Sequence, residues 1–264
     1  MIAVLGAGKM GEALTSGLLR AGTSPGQVVA AVRRPERAAQ LRDGYGIKVL
    51  TAAEAAATAD TLLICVKPQD MTTLLAEIRP AVTAGQLVIS VAAGITTSFI
   101  EQRLPVEMPV VRVTSNTPLL VGEAMSLISA GSFASEAHLR IAEEMLSPVG
   151  KVIRIPEYQQ DAATAVAGSG PAYVYYLIEA MVDAGVLVGL PRRTALEMVT
   201  QTVYGAATMV RDSGEHPVLL REAVTSPGGT TIAATRELER HGVRASFLDA
   251  IEAARDRGRE LGGS

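Results

Sequence analysis

From its first residue to about Ile155 the chain alternates short runs of consecutive apolar residues with longer stretches in which apolar positions recur at helical spacing. Thr61–Val66 (TLLICV) and Gln86–Val91 (QLVISV) are apolar at successive rather than alternate positions, the pattern of strands covered on both faces in a parallel sheet. The pattern predicts strands at Ile2–Leu5, Val28–Val32, Thr61–Val66, Leu87–Val91, Val110–Val113, Met125–Ile128 and Val152–Ile155. Helices are predicted between several of them, at Met10–Arg20, Pro35–Arg42, Asp70–Arg79 and Ser135–Leu146. This is βαβ grammar, and it implies an N-terminal, doubly wound α/β domain of Rossmann type.

After Tyr158 the strand-like runs stop. Gly170-Pro171 opens a long apolar segment whose only acids are Glu179 and Asp183, four apart on one face, so the helix it predicts should be buried on most sides. A second helix, about Arg193 to Arg211, carries Ala195, Met198, Val199, Thr202, Val203, Ala206 and Val210 on one stripe. The predicted division is a sheet domain over residues 1–158 and an all-helical domain over 159–264.

Composition narrows the partners. A net charge of -3 gives no electrostatic footprint for nucleic acid or anionic lipid, and no apolar run approaches the roughly 18 residues that span a bilayer. A small molecule is the expected partner, with no nucleic acid and no membrane. Apolar residues make up 48% and charged residues 19%, which favours some apolar surface being buried between subunits. The single Cys65 cannot form an internal disulfide, and Met-Ile-Ala-Val-Leu reads as a strand without a charged leader, so a cytoplasmic location is expected. Cys65 itself lies in a strand-like run and reads as a core residue.

Gly6-Ala7-Gly8-Lys9-Met10-Gly11 follows the first predicted strand and opens the first predicted helix. In that context G-x-G-x-x-G is a dinucleotide fingerprint: the first glycine for the tight turn, the second for approach of a pyrophosphate, the third for close helix packing. An NAD site usually carries an acid at the end of the second strand, whereas this chain has Val32-Arg33-Arg34-Pro35 and no acid before Glu36. Two guanidinium forks suit the extra phosphate of NADP, so NADPH is the expected cofactor, with NADH possible and weaker.

The helical half contains no lysine; the four are Lys9, Lys48, Lys67 and Lys151. That argues against a hydroxyacid dehydrogenase relying on a helical-domain lysine as its proton donor. His138, His216 and His241 read as surface groups, Tyr173, Tyr175 and Tyr176 as packing residues, and no His, Cys and carboxylate spacing suggests a metal. Reduction of a protonated cyclic imine fits better, because the C=N⁺–H already carries its proton and needs only to be held in place.

One further stretch stands out. Residues 223–239, AVTSPGGTTIAATRELE, place Pro-Gly-Gly among the hydroxyls of Ser226, Thr230 and Thr231 just before a helix, leaving backbone N–H groups available to an anion. With GAGKMGEAL, CVKP at Cys65–Pro68, SVAAGI at Ser90–Ile95, AVAGSGPAYVYYLIEA, GLPR and QTVYGAA, this run resembles Δ1-pyrroline-5-carboxylate reductases from Met1 to about Leu261. The resemblance implies NADPH-dependent reduction of pyrroline-5-carboxylate to L-proline by an obligate dimer with interleaved helical domains, often a decamer of five dimers.

By position, the resemblance puts Gly6, Ala7, Gly8, Lys9, Met10, Gly11, Arg33, Arg34, Cys65, Val66, Lys67, Pro68, Ala92, Ala93 and Gly94 around the cofactor, with Asn116 near its nicotinamide. Ser226, Gly228, Gly229, Thr230 and Thr231 would cradle the substrate carboxylate, and Thr231 would hydrogen-bond the ring nitrogen as the catalytic residue. The chain departs from the usual wording of the family at Thr114-Ser115, where Met-Pro is common, and at Ala167, where Ser is common. A paralogue acting on a six-membered or specialised cyclic imine, and a non-catalytic NADP-binding sensor, are the competing expectations.

Overall fold

The computed structural model describes residues 1–105 and 107–262, so the last two residues of the predicted helical domain lie outside the described residues. The sheet unit contains β1 (Ile2–Leu5), α1 (Lys9–Arg20), β2 (Val28–Ala31), α2 (Pro35–Tyr45), β3 (Lys48–Leu50), α3 (Ala52–Thr58), β4 (Thr61–Ile64) and α4 (Met71–Ile78). There follow β5 (Leu87–Ser90), α5 (Thr97–Glu101), β6 (Val110–Thr114), β7 (Ala124–Ala130), α6 (Glu136–Leu146), β8 (Gly150–Arg154) and the short α7 (Gln160–Ala163). The strands form one eight-stranded sheet in the order β3-β2-β1-β4-β5-β6-β7-β8. Every pairing is parallel except β6 with β7, where Thr114 faces Leu127 across an antiparallel register.

Alternation along each central strand builds two cores. Val4 and Leu63 enter one cluster with Leu14, Leu18 and Leu146, while their neighbours Ala3, Leu5, Leu62 and Ile64 enter the other with Leu75, Ile78 and Ile100. The run of consecutive apolar residues is thus required by helices lying on both faces. Each fully buried Leu or Ile contributes about 1.5–3 kcal/mol relative to exposure.

The chain divides into two compact units, one comprising Met1–Ser169 and the stretch from Ala254, the other Gly170–Ala253. The first extends past the predicted limit at 158 because the segment beyond it is tied into the sheet. Glu157 accepts from the Thr97 backbone N–H at 2.8 Å and from the Thr97 hydroxyl at 2.6 Å. Arg112 on β6 reaches Glu157 and Asp161, each at 3.4 Å, and Gln160 is fully buried with its amide on Leu127 O and Ser129 Oγ.

The second unit begins with α8 (Gly170–Leu187) and α9 (Arg192–Ser213), then α10 (Pro217–Ala223), α11 (Thr230–Arg240) and most of α12 (Val243–Gly262). Its small core is Val182, Ala195 and Val199, with Ile178, Leu190 and Val203 packed against it. Gly185 lets the two long helices approach, since a Cβ there would lie 3.0 Å from the Ala195 Cβ. The predicted burial of α8 on most sides is not met within the single chain. Val182 is its one buried residue among those described, and Tyr176 and Leu187 are 76% and 87% exposed. Sequence pattern registers that a face is apolar, but not whether its cover comes from the same chain.

Candidate functional site

The residues after β1, β2 and β4 meet in a cleft of about 670 Å³. Gly6, Ala7, Gly8, Arg33, Arg34, Cys65, Val66 and Lys67 line it, together with Arg37, Thr51, Asp70, Thr73 and Glu77, which no local motif in the sequence had singled out. The open sheet explains the meeting: β1 lies between β2 and β4, so the loops leaving their carboxyl ends flank the glycine turn.

The three glycines are held by three different constraints. Gly6 has φ +87°, and a Cβ there would stand 2.5 Å from Val66 Cγ1, so sterics within the protein require glycine. Gly11 sits under the turn, where a Cβ would come within 3.2 Å of the Gly6 carbonyl and 3.3 Å of the Cys65 Cβ. Gly8 is different. A Cβ at Gly8 would meet nothing nearer than the Gly6 carbonyl at 4.0 Å, so the protein itself has room for a side chain there, and that side chain would project into the cleft Gly8 lines.

Beyond Gly8, α1 begins without a side-chain cap, and among the described residues no acceptor meets the backbone N–H of Lys9, Met10 or Gly11. Open donors at a helix N-terminus, with no Cβ in the way, fit a pyrophosphate. Lys9 and Met10 offer only their backbone N–H groups at this turn; their side chains do not line the cleft.

Arg37 fastens the cradle. Its Nε donates to the Ala7 carbonyl at 3.1 Å, its Nη2 pairs with Glu12 and its Nη1 donates to Gln40. Tyr45 donates to the other Glu12 oxygen at 3.0 Å. The Arg37 hydrogen bond holds the Glu12 carboxyl below the usual carboxylate range against an opposing effect of burial, while burial and Glu12 push the Tyr45 phenol up. The acid in the first turn of α1 is thus matched by a guanidinium of its own.

At the far side, Arg33 pairs with Asp70 at 2.6 Å, and Arg34 lines the cleft from the first residue before α2. Cys65 packs beneath Gly11, and burial pushes its thiol up to about 12, which suits a packing residue and not a nucleophile. Pro68, Ala92, Ala93 and Gly94 belong to the neighbouring loops after β4 and β5 but do not line this cleft; Ala92 is buried and Gly94 takes φ +72°. Asn116 is also outside it. Its amide accepts from the Met125 N–H and donates to the Ala167 carbonyl, both at 3.0 Å, pinning the chain reversal before β7 to residues 164–168. The departures at Thr114 and Ser115 are absorbed nearby, with Thr114 against the Thr164 hydroxyl at 3.2 Å and Ser115 against the Ser126 hydroxyl at 2.9 Å.

The helical unit holds the other predicted residues together in one turn. Gly228 takes φ +68°, Gly229 donates to the Ser226 carbonyl at 3.1 Å, and α11 starts at Thr230. A Cβ on Gly229 would collide with the Ser226 hydroxyl oxygen. Among the described residues no side chain caps α11, and no acceptor meets the N–H of Thr230, Thr231 or Ile232. The turn is compact, open and lined by hydroxyls, which suits a small carboxylate. The three histidines stay outside both places: His138 and His216 cap α6 and α10, and His241 ends α11. No cluster of metal-ligating side chains exists among the described residues.

Residues 157–261 match a family model described as pyrroline-5-carboxylate reductase dimerisation, and residues 1–94 match one described as NADP oxidoreductase, coenzyme F420-dependent. A pyrroline-5-carboxylate reductase of Corynebacterium melassecola is 43% identical over 265 residues, covering 99% of this chain and 98% of its own. Pyrroline-5-carboxylate reductase 1 of Bacillus subtilis is 40% identical, covering 98% and 89%. Among solved structures, a pyrroline-5-carboxylate reductase from Coxiella burnetii superposes with a TM-score of 0.94 at 33% identity over 98% of this chain and 97% of that one. The Plasmodium falciparum enzyme, solved with NADP bound, gives 0.87 at 28% identity over 99% and 97%.

Proposed function

This chain belongs to the pyrroline-5-carboxylate reductase family, and from that membership we propose that it reduces Δ1-pyrroline-5-carboxylate to L-proline with NADPH. The observation that carries the reading is the turn at Ser226–Thr231, whose open N–H groups have no acceptor among the described residues and whose glycines keep side chains away. When bound, the reduced nicotinamide supplies the hydride that the imine carbon accepts.

The chain's own residues bind and orient. The backbone N–H groups of Lys9, Met10 and Gly11 hold the pyrophosphate, with Arg37 fixing the loop that presents them. Arg33 and Arg34 face the end of the cleft suited to the phosphate of NADPH, NADH being the weaker cofactor. The first-turn N–H groups of α11 take the substrate carboxylate, and the Thr231 hydroxyl accepts from the iminium N–H and orients the ring. No protein acid is called for, because the substrate nitrogen brings its own proton, which accords with a helical unit that contains no lysine.

The family membership brings oligomerisation through the helical unit, and a decamer of five dimers is the proposed assembly. No helix among the described residues is long and apolar enough to cross a membrane; the cytoplasm is the proposed location. The test is the initial rate of NADPH oxidation with pyrroline-5-carboxylate beside its six-membered piperideine homologues. Turnover dominated by the five-membered ring is expected. Turnover confined to another imine, or to none, would overturn the proposal.

A further inference from the structure

We infer that Asp70 sets how sharply the cleft prefers NADPH over NADH, an inference that rests on the cofactor reading above. Asp70 ends the one-turn 3-10 helix Pro68–Asp70 that runs straight into α4, with a helical backbone (φ -91°, ψ -8°). Here it makes no capping bond. Its carboxylate instead reaches Arg33 Nη2 at 2.6 Å, and the two side chains are 29% and 77% exposed.

The sheet order gives that pair its meaning. Arg33 follows β2, Asp70 follows β4, and β1 with its glycine turn lies between them. The ion pair therefore joins the two loops that flank the cradle, and both residues line the cleft. Glu36, the acid nearest in sequence to the end of β2, does not. The carboxylate that a ribose with free hydroxyls requires is thus absent from β2 but supplied from a different loop.

The two cofactors meet this arrangement differently. A 2′-phosphate draws Arg33 away from Asp70 and leaves a carboxylate facing a dianion, which costs affinity. A free 2′-hydroxyl donates to Asp70 and leaves the ion pair in place. Arg34 also lines the cleft and has no ion partner among the described residues, so phosphate binding is favoured through Arg34 while Asp70 moderates the preference.

The experiment measures Kd for NADPH and for NADH by nicotinamide fluorescence without substrate, in the parent and in Asp70→Asn, and repeats the comparison as kcat/KM with pyrroline-5-carboxylate. Asp70→Asn keeps the volume and removes the charge. The expected result is a rise of about fivefold or more in the NADPH to NADH preference, from tighter NADPH and weaker NADH together. A preference within about twofold of the parent, or an equal change for both cofactors, overturns the inference. If the binding preference shifts while no imine is turned over, the role of Asp70 stands and the activity reading fails. If the parent binds neither cofactor, the cleft reading and this inference fall together.

Discussion

The guanidinium of Arg37 donates from Nε to the carbonyl of Ala7 at 3.1 Å, across thirty positions of sequence, and so holds the middle of the glycine turn from the side of α2. With the same side chain paired to Glu12 on α1, one residue fixes both the loop and the helix it opens. A charged hydrogen bond of this kind is worth about 1.5–3 kcal/mol. Arg37→Met should weaken NADPH binding by about tenfold, with kcat at saturating cofactor little changed. Lysine, lacking the fork, should not restore it. A fluorescence titration with NADPH checks this, and unchanged affinity in Arg37→Met would count against a positioning role.

Gly6 and Gly8 make a paired test of why the fingerprint is glycine-rich. Alanine at Gly6 meets Val66 at 2.5 Å and must also adopt φ +87°, so Gly6→Ala should lower the melting temperature as well as cofactor affinity. Alanine at Gly8 meets no protein atom nearer than 4.0 Å, so Gly8→Ala should keep the parent melting temperature and lose cofactor affinity alone. Thermal unfolding with and without NADPH separates the two. A destabilised Gly8→Ala protein would mean that this glycine serves the fold.

How much of this was legible in the sequence follows from range. The strands that cross the core were, because TLLICV and its like are apolar at successive positions. β3 was not: Lys48–Leu50 is three residues at a sheet edge, none of them fully buried. α3 was also missed, since AAEAAAT has no amphipathic period, although Thr51 and Glu54 form a capping box that marks its start. The glycine loop and the Ser226–Thr231 turn are contiguous motifs and could be read directly. Arg37 from α2 and Asp70 from the segment after β4 reach the cleft together only because β2 and β4 lie on either side of β1, and no local spacing records that. The antiparallel entry of β7 is hidden for the same reason.

Glu12 ties the site to acid stability. Its carboxyl is held below the ordinary value of 4.5, first by the Arg37 hydrogen bond. A carboxyl whose folded value is lowered adds stability that is complete above its unfolded value and is lost as the pH falls through the folded one. Glu12→Gln should therefore be less stable than the parent near neutral pH, and the gap should narrow below pH 4.5. Urea unfolding of both proteins across that range measures it; a gap that stays constant with pH would assign the loss to packing.

The apolar surface of α8 predicts a linkage between assembly and charge. Tyr176 and Leu187 are 76% and 87% exposed on a helix that belongs to the matched dimerisation region. Leu187→Asp places a charge on surface that an oligomer covers, and uncompensated burial of a charge is strongly unfavourable. The variant should run at lower mass than the parent in light scattering, while NADPH binding to the sheet unit persists. Unaltered mass would place the contact surface elsewhere on the helical unit.

Thr231 gives the sharpest test of the turn, because its backbone and its hydroxyl have separable tasks. The backbone N–H, open at the start of α11, would serve the substrate carboxylate whatever side chain the residue carries. The hydroxyl would serve the iminium nitrogen, and only Ser can replace it. Thr231→Ala should then lower kcat by about ten- to a hundredfold with a modest effect on KM, since one orienting hydrogen bond is removed. Thr231→Ser should recover most of that loss. The N–H groups remain available in both variants, so competitive inhibition by simple cyclic carboxylates should be nearly unchanged. Steady-state kinetics on the three proteins distinguishes the outcomes: equal kcat in Thr231→Ala and the parent would remove the hydroxyl from the mechanism, whereas loss of carboxylate inhibition would show that the turn itself had collapsed.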